Sequence, residues 1–313
     1  MSATALPATG VRPADWQPCS DRSLERDDPL AGTSGFGERW FLVEVESSWG
    51  RHALAQSRLD PALAHTLVKR VERAGMRPLA IRRPAVRADI RRRQDVWRWA
   101  VVDSRQGNEA VAWGAVDNPE ALVEVPLDGS TGTPSGEPII CVCTHGRHDQ
   151  CCAVKGRAAL APIAAAFPSL TWECSHLGGD RFAATMMIFP HALHFGRVTP
   201  DAAVAIVDSY LSGTIDAGHF RGRASQPNVV QAAEAYARAA LGDDRLDAIR
   251  PLDHGTQRGG EHGGPGAWTV NFAYQDSTVA VELHETRSAP LLSTCTATVP
   301  VSVRQFALDA VRR

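Results

Sequence analysis

The stretch Cys141-Val-Cys-Thr-His-Gly-Arg-His-Asp-Gln-Cys-Cys152 decides the fold, together with Cys174-Ser-His-Leu-Gly-Gly-Asp180 further along the chain. Each stretch follows a run of apolar residues typical of a buried strand, Pro138–Cys143 before the first and Leu170–Cys174 before the second. In an open α/β sheet, the loops after neighbouring parallel strands meet beyond the carboxyl ends of those strands. The sequence therefore predicts that cysteine and histidine side chains from the two loops face each other.

The elements around these loops predict a thioredoxin-like domain over residues 137–215. They are the strand Pro138–Cys143, a helix at Val154–Ala166, the strand Leu170–Cys174, a hairpin of Thr185–Phe189 with Leu193–Val198, and a helix at Asp201–Leu211. Thr199 is the expected N-cap of the last helix, because its side chain can accept a hydrogen bond from the first turn. Strand, helix, strand, hairpin and helix is the element order of a thioredoxin-like fold.

Toward the N-terminus, residues 38–127 form a predicted α/β region, and residues 1–37 form a predicted irregular lead-in. The predicted elements are strands at Arg39–Val45, Met76–Ile81, Val96–Val102 and Ala110–Val116 and a helix at Pro61–Ala74. Asp60 is the expected N-cap of this helix, and Gly75 is its expected stop. The element order suggests a degenerate second copy of the thioredoxin-like half, which the linker Leu127–Glu137 joins to the first.

Toward the C-terminus, residues 226–313 predict a small α+β appendage. Its predicted elements are a helix at Val229–Leu241, strands at Trp268–Tyr274 and Thr278–His284, and a final helix at Val301–Arg312. Residues 255–266 carry six glycines without a phosphate-binding lysine or a strand–helix context, so they predict a flexible loop. The fold class is therefore α/β, with a thioredoxin-like domain between two smaller parts.

Composition excludes some classes of partner. The chain has 313 residues and a formal net charge of −2, which argues against a broad electrostatic surface for nucleic acid. No apolar stretch approaches the roughly 20 residues that a bilayer requires, so no membrane partner is expected. The N-terminus lacks the basic start and apolar core of a signal peptide. The expected compartment is the cytoplasm, where thiols stay reduced.

The placement of cysteines points to a metal site. Five of the seven cysteines fall between positions 141 and 174, and an odd total without a secretion signal argues against a disulfide framework. A [2Fe–2S] cluster takes thiolate ligands, which imidazole can replace, and the two loops offer a pair of such groups each. Gly178 and Gly179 would let the backbone pass close to a cluster. Arg147 and Arg181 would offset its negative charge.

Two motifs carry a family resemblance. Cys143-Thr-His-Gly-Arg-His-Asp-Gln-Cys-Cys152 and Cys174-Ser-His-Leu-Gly-Gly-Asp-Arg-Phe-Ala-Ala184 resemble the sucrase/ferredoxin-like proteins, whose core is a thioredoxin-like [2Fe–2S] ferredoxin domain. Pro29-Leu-Ala-Gly-Thr33 and Trp49-Gly50 are similar to the N-terminal part of that family. The resemblance covers most of the chain.

The resemblance implies a ligand set of two cysteines nine positions apart and two histidines four positions apart. These positions fall on Cys143, Cys152 and His176, but the second histidine position is occupied by Asp180. The fourth ligand is therefore open. Asp180 offers a hard carboxylate oxygen, whereas Cys174 is a softer donor that lies on the same side of an extended segment as His176. Cys151 is a third candidate.

The resemblance and the residues together predict an electron carrier with an unidentified redox partner protein, rather than a catalyst. One alternative is thiol–disulfide chemistry, using Cys151-Cys152 or the pair Cys141 and Cys143. A second alternative is a structural zinc site built from Cys143, Cys152, Cys174 and His176. A glycoside hydrolase needs two facing carboxylates, for which the sequence offers no convincing pair.

Overall fold

The computed structural model describes residues 16–84, 94–257 and 266–313. Within them the helices are α1 (Cys19–Glu25), α2 (Pro61–Arg73), α3 (Gln150–Ala166), α4 (Pro200–Leu211) and α5 (Asn228–Leu241). The strands are β1 (Arg39–Glu44), β2 (Arg77–Arg82), β3 (Trp97–Asp103), β4 (Ala110–Val116), β5 (Thr133–Ser135), β6 (Ile139–Cys143), β7 (Thr171–Cys174), β8 (Met186–Phe189), β9 (Leu193–Phe195), β10 (Phe220–Arg223), β11 (Ile249–Gln257), β12 (Ala267–Tyr274), β13 (Ser277–Arg287) and β14 (Arg304–Arg312). Strands β1 to β10 form one mixed sheet, and β11 to β14 form a separate antiparallel sheet.

The half of the large sheet that carries the two cysteine loops is built from β6 to β9. Strand β6 runs parallel to β7 and antiparallel to β8, and β8 pairs antiparallel with β9. Helices α3 and α4 cover one face of these strands, where Ile140 and Val142 of β6 pack with Ile163 of α3 and Ile206 of α4. Thr199 caps α4 by accepting a hydrogen bond from the backbone N–H of Ala202, as predicted.

The other half of the large sheet repeats this strand order and these strand directions. Strand β1 runs parallel to β2 and antiparallel to β3, which pairs antiparallel with β4. Helix α2 covers one face, and its N-cap is Asp60, as predicted. At the position that α4 occupies in the half built from β6 to β9, this half has a single 3₁₀ turn, Glu120–Val123.

The two halves join edge to edge in one sheet. Strand β2 pairs antiparallel with β7, through Ile81 opposite Cys174 and Arg82 opposite Glu173. Three strands separate β1 from β8, which in a flat sheet corresponds to roughly 19 Å. The rings of Trp40 in β1 and Phe189 in β8 are nevertheless only 5.3 Å apart. The sheet must therefore curl, and its inner face closes on a core shared by both halves.

Three predicted segments differ from the structure. The lead-in 1–37 contains helix α1, whose buried side includes Cys19 and Ser23. The linker Leu127–Glu137 contains β5, an edge strand of the kind that tolerates proline. The predicted final helix Val301–Arg312 is wrong, because that segment is strand β14, which pairs along β13. Its alanine, leucine and arginine favour a helix locally, but pairing with a distant strand overrides this weak preference.

The C-terminal sheet also contains strand β11, which the sequence did not predict. The segment IRPLDHGTQ lacks the alternation of apolar and polar residues that marks a half-buried strand. Residues 255–257 of the predicted flexible loop belong to this strand, and residues 258–265 lie outside the described residues. Helix α5 packs across the sheet through Val230 and Ala233, against Val270 and Phe272 of β12. Among the residues that the structure describes, no helix combines the length and apolar character that a bilayer crossing requires.

Candidate metal centre

The ends of β6 and β7 bring the two cysteine loops together. Cys143 ends β6, Cys152 lies in the first turn of α3, and His176 follows β7. Because β6 and β7 are parallel neighbours, both loops leave the sheet at the same edge. The ligand atoms of these three residues all lie within 4.8 Å of one another. Two thiols and one imidazole thus converge at one point, as the position of the two loops after neighbouring parallel strands predicts.

Helix α3 begins earlier than predicted, and this places Cys152. The helix starts at Gln150 rather than Val154, because the Asp149 side chain accepts a hydrogen bond from the Cys151 backbone N–H at 2.8 Å. Both Cys151 and Cys152 therefore sit in the first helical turn. Adjacent side chains of a helix point in directions about 100° apart, so the two sulfur atoms face different groups of residues.

Asp180 is the polar side chain that links two of the converging residues. It is only 4% exposed, and its Oδ1 lies 3.2 Å from the Cys152 Sγ, which donates a hydrogen bond to it. The same oxygen lies 3.1 Å from the Nδ1 of His176. The His148 ring stacks on the His176 ring with centroids 3.6 Å apart, and its Nε2 lies 3.7 Å from the other Asp180 oxygen.

The electrostatics of this pocket favour the charged forms of Cys143, His176 and Asp180, whereas the neighbouring Cys143 and burial raise the pKa of the Cys152 thiol. The neighbouring Cys152 thiol outweighs burial and, together with His176, lowers the pKa of Cys143 well below its ordinary value. Burial lowers the pKa of His176, but the Asp180 carboxylate and the Cys143 sulfur outweigh it and raise that pKa to about 9. Burial likewise opposes ionisation of Asp180, yet the His176 ring keeps the pKa of Asp180 below its usual range. The pocket therefore balances a thiolate and a carboxylate with an imidazolium.

This donor set fits a metal ion or a small cluster. The Nδ1 atom of His176 is buried and, within the described part of the chain, makes no well-aligned hydrogen bond. Its contact with Asp180 is an ion pair at 3.1 Å. Without a metal, protons on Cys152 and His176 provide the positive charge that lies between these donor atoms. A metal ion that binds there would displace such protons. Thiolate and imidazole are the donors that iron and zinc accept.

The other two predicted candidates for the fourth ligand lie elsewhere. Cys174 is fully buried in the inner core, and burial together with a hydrogen bond to Cys141 raises its pKa well above the ordinary value. The strand that would align it with His176 ends at Cys174, and the chain bends at Ser175. Cys151 points to a second group of thiols, described below.

Gly178 and Gly179 both adopt the left-handed backbone that glycine favours, with φ of 97° and 81°. The close neighbour of Gly179 is an arginine rather than a ligand group. A Cβ atom at position 179 would lie 2.3 Å from the Nη2 atom of Arg221. Gly178 has no such neighbour, since a Cβ there would meet nothing within 4 Å. Glycine at 179 therefore makes room for a guanidinium behind the loop.

Arg221 is a residue of this site that the sequence did not reveal. It is fully buried and donates hydrogen bonds to Gly178 O at 2.9 Å, to Thr33 O at 2.5 Å and to Thr33 Oγ1 at 3.0 Å. It also contacts the Nε2 atom of His194 at 2.8 Å. Thr33 closes the motif Pro29–Thr33, so Arg221 ties that motif to the loop that carries His176. Its local sequence, FRGR, has no feature that would indicate this role.

The two arginines that the sequence nominated lie in other surroundings. Arg147 is exposed on the loop after β6, beside a shallow cavity that Arg82 and Arg157 also line. The Nε atom of Arg181 lies 3.5 Å from Asp28, and its guanidinium packs 4.4 Å from the centre of the Phe182 ring. Within the described residues, neither arginine donates a hydrogen bond to Cys143, Cys152 or His176.

We expect Arg221→Gln to weaken metal binding at this centre about 10- to 100-fold, as loss of an outer support of a metal ligand does. The glutamine cannot replace the guanidinium hydrogen bonds that join Gly178 to Thr33. Competition with a chromophoric chelator measures the affinity. Arg147→Gln is the control, since an exposed arginine should leave the affinity unchanged. Equal metal affinity of the Arg221 variant and the wild type would show that this arginine stabilises the fold but does not support metal binding.

A cleft of about 740 Å³ opens beside the centre. Its walls include the segment 51–56, part of α2, and the side chains of His145, His148 and His176. The side chains of His148 and His176 are 31% and 27% exposed, whereas Cys143 and Cys152 are buried. His145 is fixed as a wall of the cleft by donating a hydrogen bond from Nε2 to Gly50 O. The edges of the two histidine rings are thus the part of the centre that solvent reaches.

A sequence model of the family described as sucrase/ferredoxin-like matches residues 30–222. That range contains both cysteine loops and the Thr33–Arg221 contact, and it ends before α5 and the C-terminal sheet. Neither the curated proteins nor the solved structures gave a significant match.

Proposed function

Because this chain belongs to the sucrase/ferredoxin-like family, we propose that it is an electron-transfer protein with one [2Fe–2S] cluster bound at this centre. The observation that carries the proposal is the convergence of Cys143, Cys152 and His176 at the ends of two parallel strands. Mixed cysteine and histidine ligation is known for such clusters and raises their potential above that of all-thiolate clusters. When bound, the cluster would supply reversible one-electron transfer.

The proposed domain is thioredoxin-like. Its elements follow the order β6, α3, β7, β8, β9 and α4, and the strands lie side by side as β7-β6-β8-β9. The first two strands are parallel and the last two form an antiparallel hairpin. The same strand order in β1 to β4 supports the hypothesis that the N-terminal half is a second copy that has lost its last helix.

Asp180 is the proposed fourth ligand. It occupies the position where the family resemblance places a second histidine, and its Oδ1 is within 3.2 Å of both Cys152 Sγ and His176 Nδ1. His148 instead stacks on the cleft side of His176. Cys174 and Cys151 contact other thiols. Asp180 is therefore the candidate that reaches the ligand group from the buried side.

The Asp180→Ala variant is expected to retain its cluster roughly tenfold less well, because an open coordination position exposes the cluster to solvent and chelators. Asp180→His, which restores an imidazole, is expected to retain it. His148→Ala is the matched control and should keep its iron. Iron content after timed exposure to a chelator measures retention. Loss of iron from the His148 variant, with retention in Asp180→Ala, would move the fourth ligand to His148.

The chain's own residues define how the centre exchanges electrons. Cys143 and Cys152 lie in the dry core, so solvent does not reach their sulfur atoms. The partly exposed rings of His148 and His176 face the cleft, where a redox partner protein would approach. Arg221 and Thr33 hold the loop that carries His176 and keep the ring in place.

The test is the composition and magnetism of protein purified without oxygen. The proposal expects two iron and two acid-labile sulfide ions per chain, and an EPR signal that appears on one-electron reduction. Zinc at this centre without labile sulfide would support a structural zinc site instead. Absence of both metals, together with reversible loss of free thiols on oxidation, would support thiol–disulfide chemistry. Either result would overturn the electron-carrier proposal.

A further inference from the structure

A second group of thiols lies beyond the N-terminus of α3, on the other side from Cys152. Cys19 of α1, Cys151 of α3 and Cys295 of the segment before β14 meet there. Their sulfur atoms are separated by 3.6 Å (Cys19 to Cys151), 3.2 Å (Cys151 to Cys295) and 3.6 Å (Cys295 to Cys19). All three side chains are buried.

These distances form a nearly equilateral triangle that one small metal ion would fit. Zinc–sulfur bonds are about 2.3 Å long, so sulfur atoms on one tetrahedral zinc lie roughly 3.8 Å apart. A disulfide has its sulfur atoms about 2.05 Å apart, and a single disulfide would leave the third cysteine unpaired. The triangle is therefore closer to the geometry of a shared ion than to that of a bond between two of its members.

A carboxylate completes the group. Asp149 Oδ1 lies 4.0 Å from the Cys19 sulfur, and all four ligand atoms lie within 4.8 Å of one another. The carboxylate is held in place because it accepts hydrogen bonds from the backbone N–H groups of Cys151 at 2.8 Å and Cys295 at 2.7 Å. A carboxylate has about four lone-pair sites, so these two bonds leave capacity for a metal.

The surroundings supply the outer support that thiolate ligands need. The Ser20 hydroxyl donates a hydrogen bond to the Cys151 sulfur at 3.2 Å, and the backbone N–H of Cys19 points to the Cys295 sulfur at 3.5 Å. Donors of this kind stabilise metal-bound thiolates and fix their direction. Small buried cysteines that merely fill space need no such donors.

We propose that Cys19, Cys151, Cys295 and Asp149 bind a single zinc ion, separate from the cluster site. Structural zinc sites are closed and take four ligands, and thiolate sulfur and carboxylate oxygen are both zinc ligands, so these four buried side chains can supply a complete set. The ion ties the N-terminal helix and a C-terminal segment to the first turn of α3, next to the cluster ligand Cys152. Cys19 and Cys295 lie outside residues 30–222, so this site extends beyond the part of the chain that the family match covers.

The experiment measures zinc and iron separately in the full chain. Wild-type protein is expected to carry one zinc ion per chain, and Cys19→Ser and Cys295→Ser to lower zinc roughly tenfold or more while iron is retained. Cys143→Ser is the reciprocal variant, which should lose iron and keep zinc. Cys174→Ser is the matched control, since it alters a buried cysteine outside both groups. Because the two metals are counted independently, failure of the zinc proposal is distinguishable from failure of the cluster proposal.

A spectroscopic measurement on the wild-type protein tests the proposal without relying on variants that fail to fold. Wild-type protein exchanged with cobalt(II) should show intense tetrahedral d–d bands and thiolate-to-cobalt charge transfer. Cys143→Ser should keep these bands. Wild-type protein without zinc, whose mass is two hydrogens lower because Cys151 and Cys295 form a disulfide, would overturn the proposal. So would iron that depends on Cys19 in the absence of zinc.

Discussion

Cys152→Ala is expected to abolish binding of the proposed [2Fe–2S] cluster, so that the purified variant is colourless and its iron falls to background. The change removes one of the two thiolates of the proposed ligand set and leaves a single sulfur with harder donors, which bind cluster iron less well. It also removes the thiol that contacts Asp180 at 3.2 Å. The loss of one buried sulfur should cost only about 1 kcal/mol of folding free energy. Iron and labile sulfide, measured beside a circular dichroism spectrum, separate loss of the cluster from loss of the fold.

Cys174→Ala is the matched control for this experiment. Cys174 is as deeply buried as Cys152 and lies directly beside Cys143 in the sheet, but its sulfur contacts Cys141. The variant should therefore keep its iron and its colour. A folded Cys174→Ala variant without iron, beside a Cys152→Ala variant that keeps iron, would refute the ligand assignment.

Gly156→Ala is expected to destabilise the protein by about 1–3 kcal/mol or more, as overpacking of a tight contact does. A Cβ atom at this position would lie 2.0 Å from the backbone carbonyl oxygen of Cys143 and 3.1 Å from its carbonyl carbon. Alanine favours a helix over glycine by about 1 kcal/mol, so helix propensity alone predicts the opposite sign. The steric overlap should outweigh the gain in helix propensity, because the atoms in the way belong to the backbone and cannot rotate away.

The same substitution should also weaken binding of the proposed cluster. Helix α3 carries both Gly156 and Cys152, so moving the helix away from Cys143 pulls the two sulfur ligands apart. The midpoint of urea unfolding reports the stability, and iron retention reports the centre. Gly136→Ala is the control, since a Cβ there meets nothing within 4 Å and its stability should change by less than about 0.5 kcal/mol. A Gly156→Ala variant more stable than wild type would show that the helix shifts without cost.

The parts of the fold that the sequence predicted are those with local signals. Asp60 and Thr199 cap helices through side chains only a few residues from the groups they bind. The strands that precede the two loops are short apolar runs, and their parallel pairing brings the loops together as topology requires. The start of α3 lies four residues before its predicted position, because Asp149 within the polar loop serves as an N-cap.

The parts that the sequence did not predict depend on contacts between distant segments. Arg221 reaches Thr33 across 188 positions, and Cys151 reaches Cys295 across 144 positions. Neither the composition nor the periodicity of the sequence indicates contacts between residues so far apart in the chain. Strand β14 likewise takes its conformation from pairing with β13 rather than from its own residues. A site assembled from chain ends therefore becomes visible only when the fold is known.

The seam between β2 and β7 decides whether the cysteine loops can exist as an autonomous fragment. Arg82 of β2 forms hydrogen bonds with Glu173 of β7, and Glu173 in turn accepts one from the Thr144 hydroxyl, next to Cys143. A piece cut to residues 137–215 would leave β7 as a bare edge and would uncover Trp172, which stacks on Trp113. Exposed edges of this kind recruit other strands, so such a fragment would self-associate instead of behaving as a free-standing small carrier.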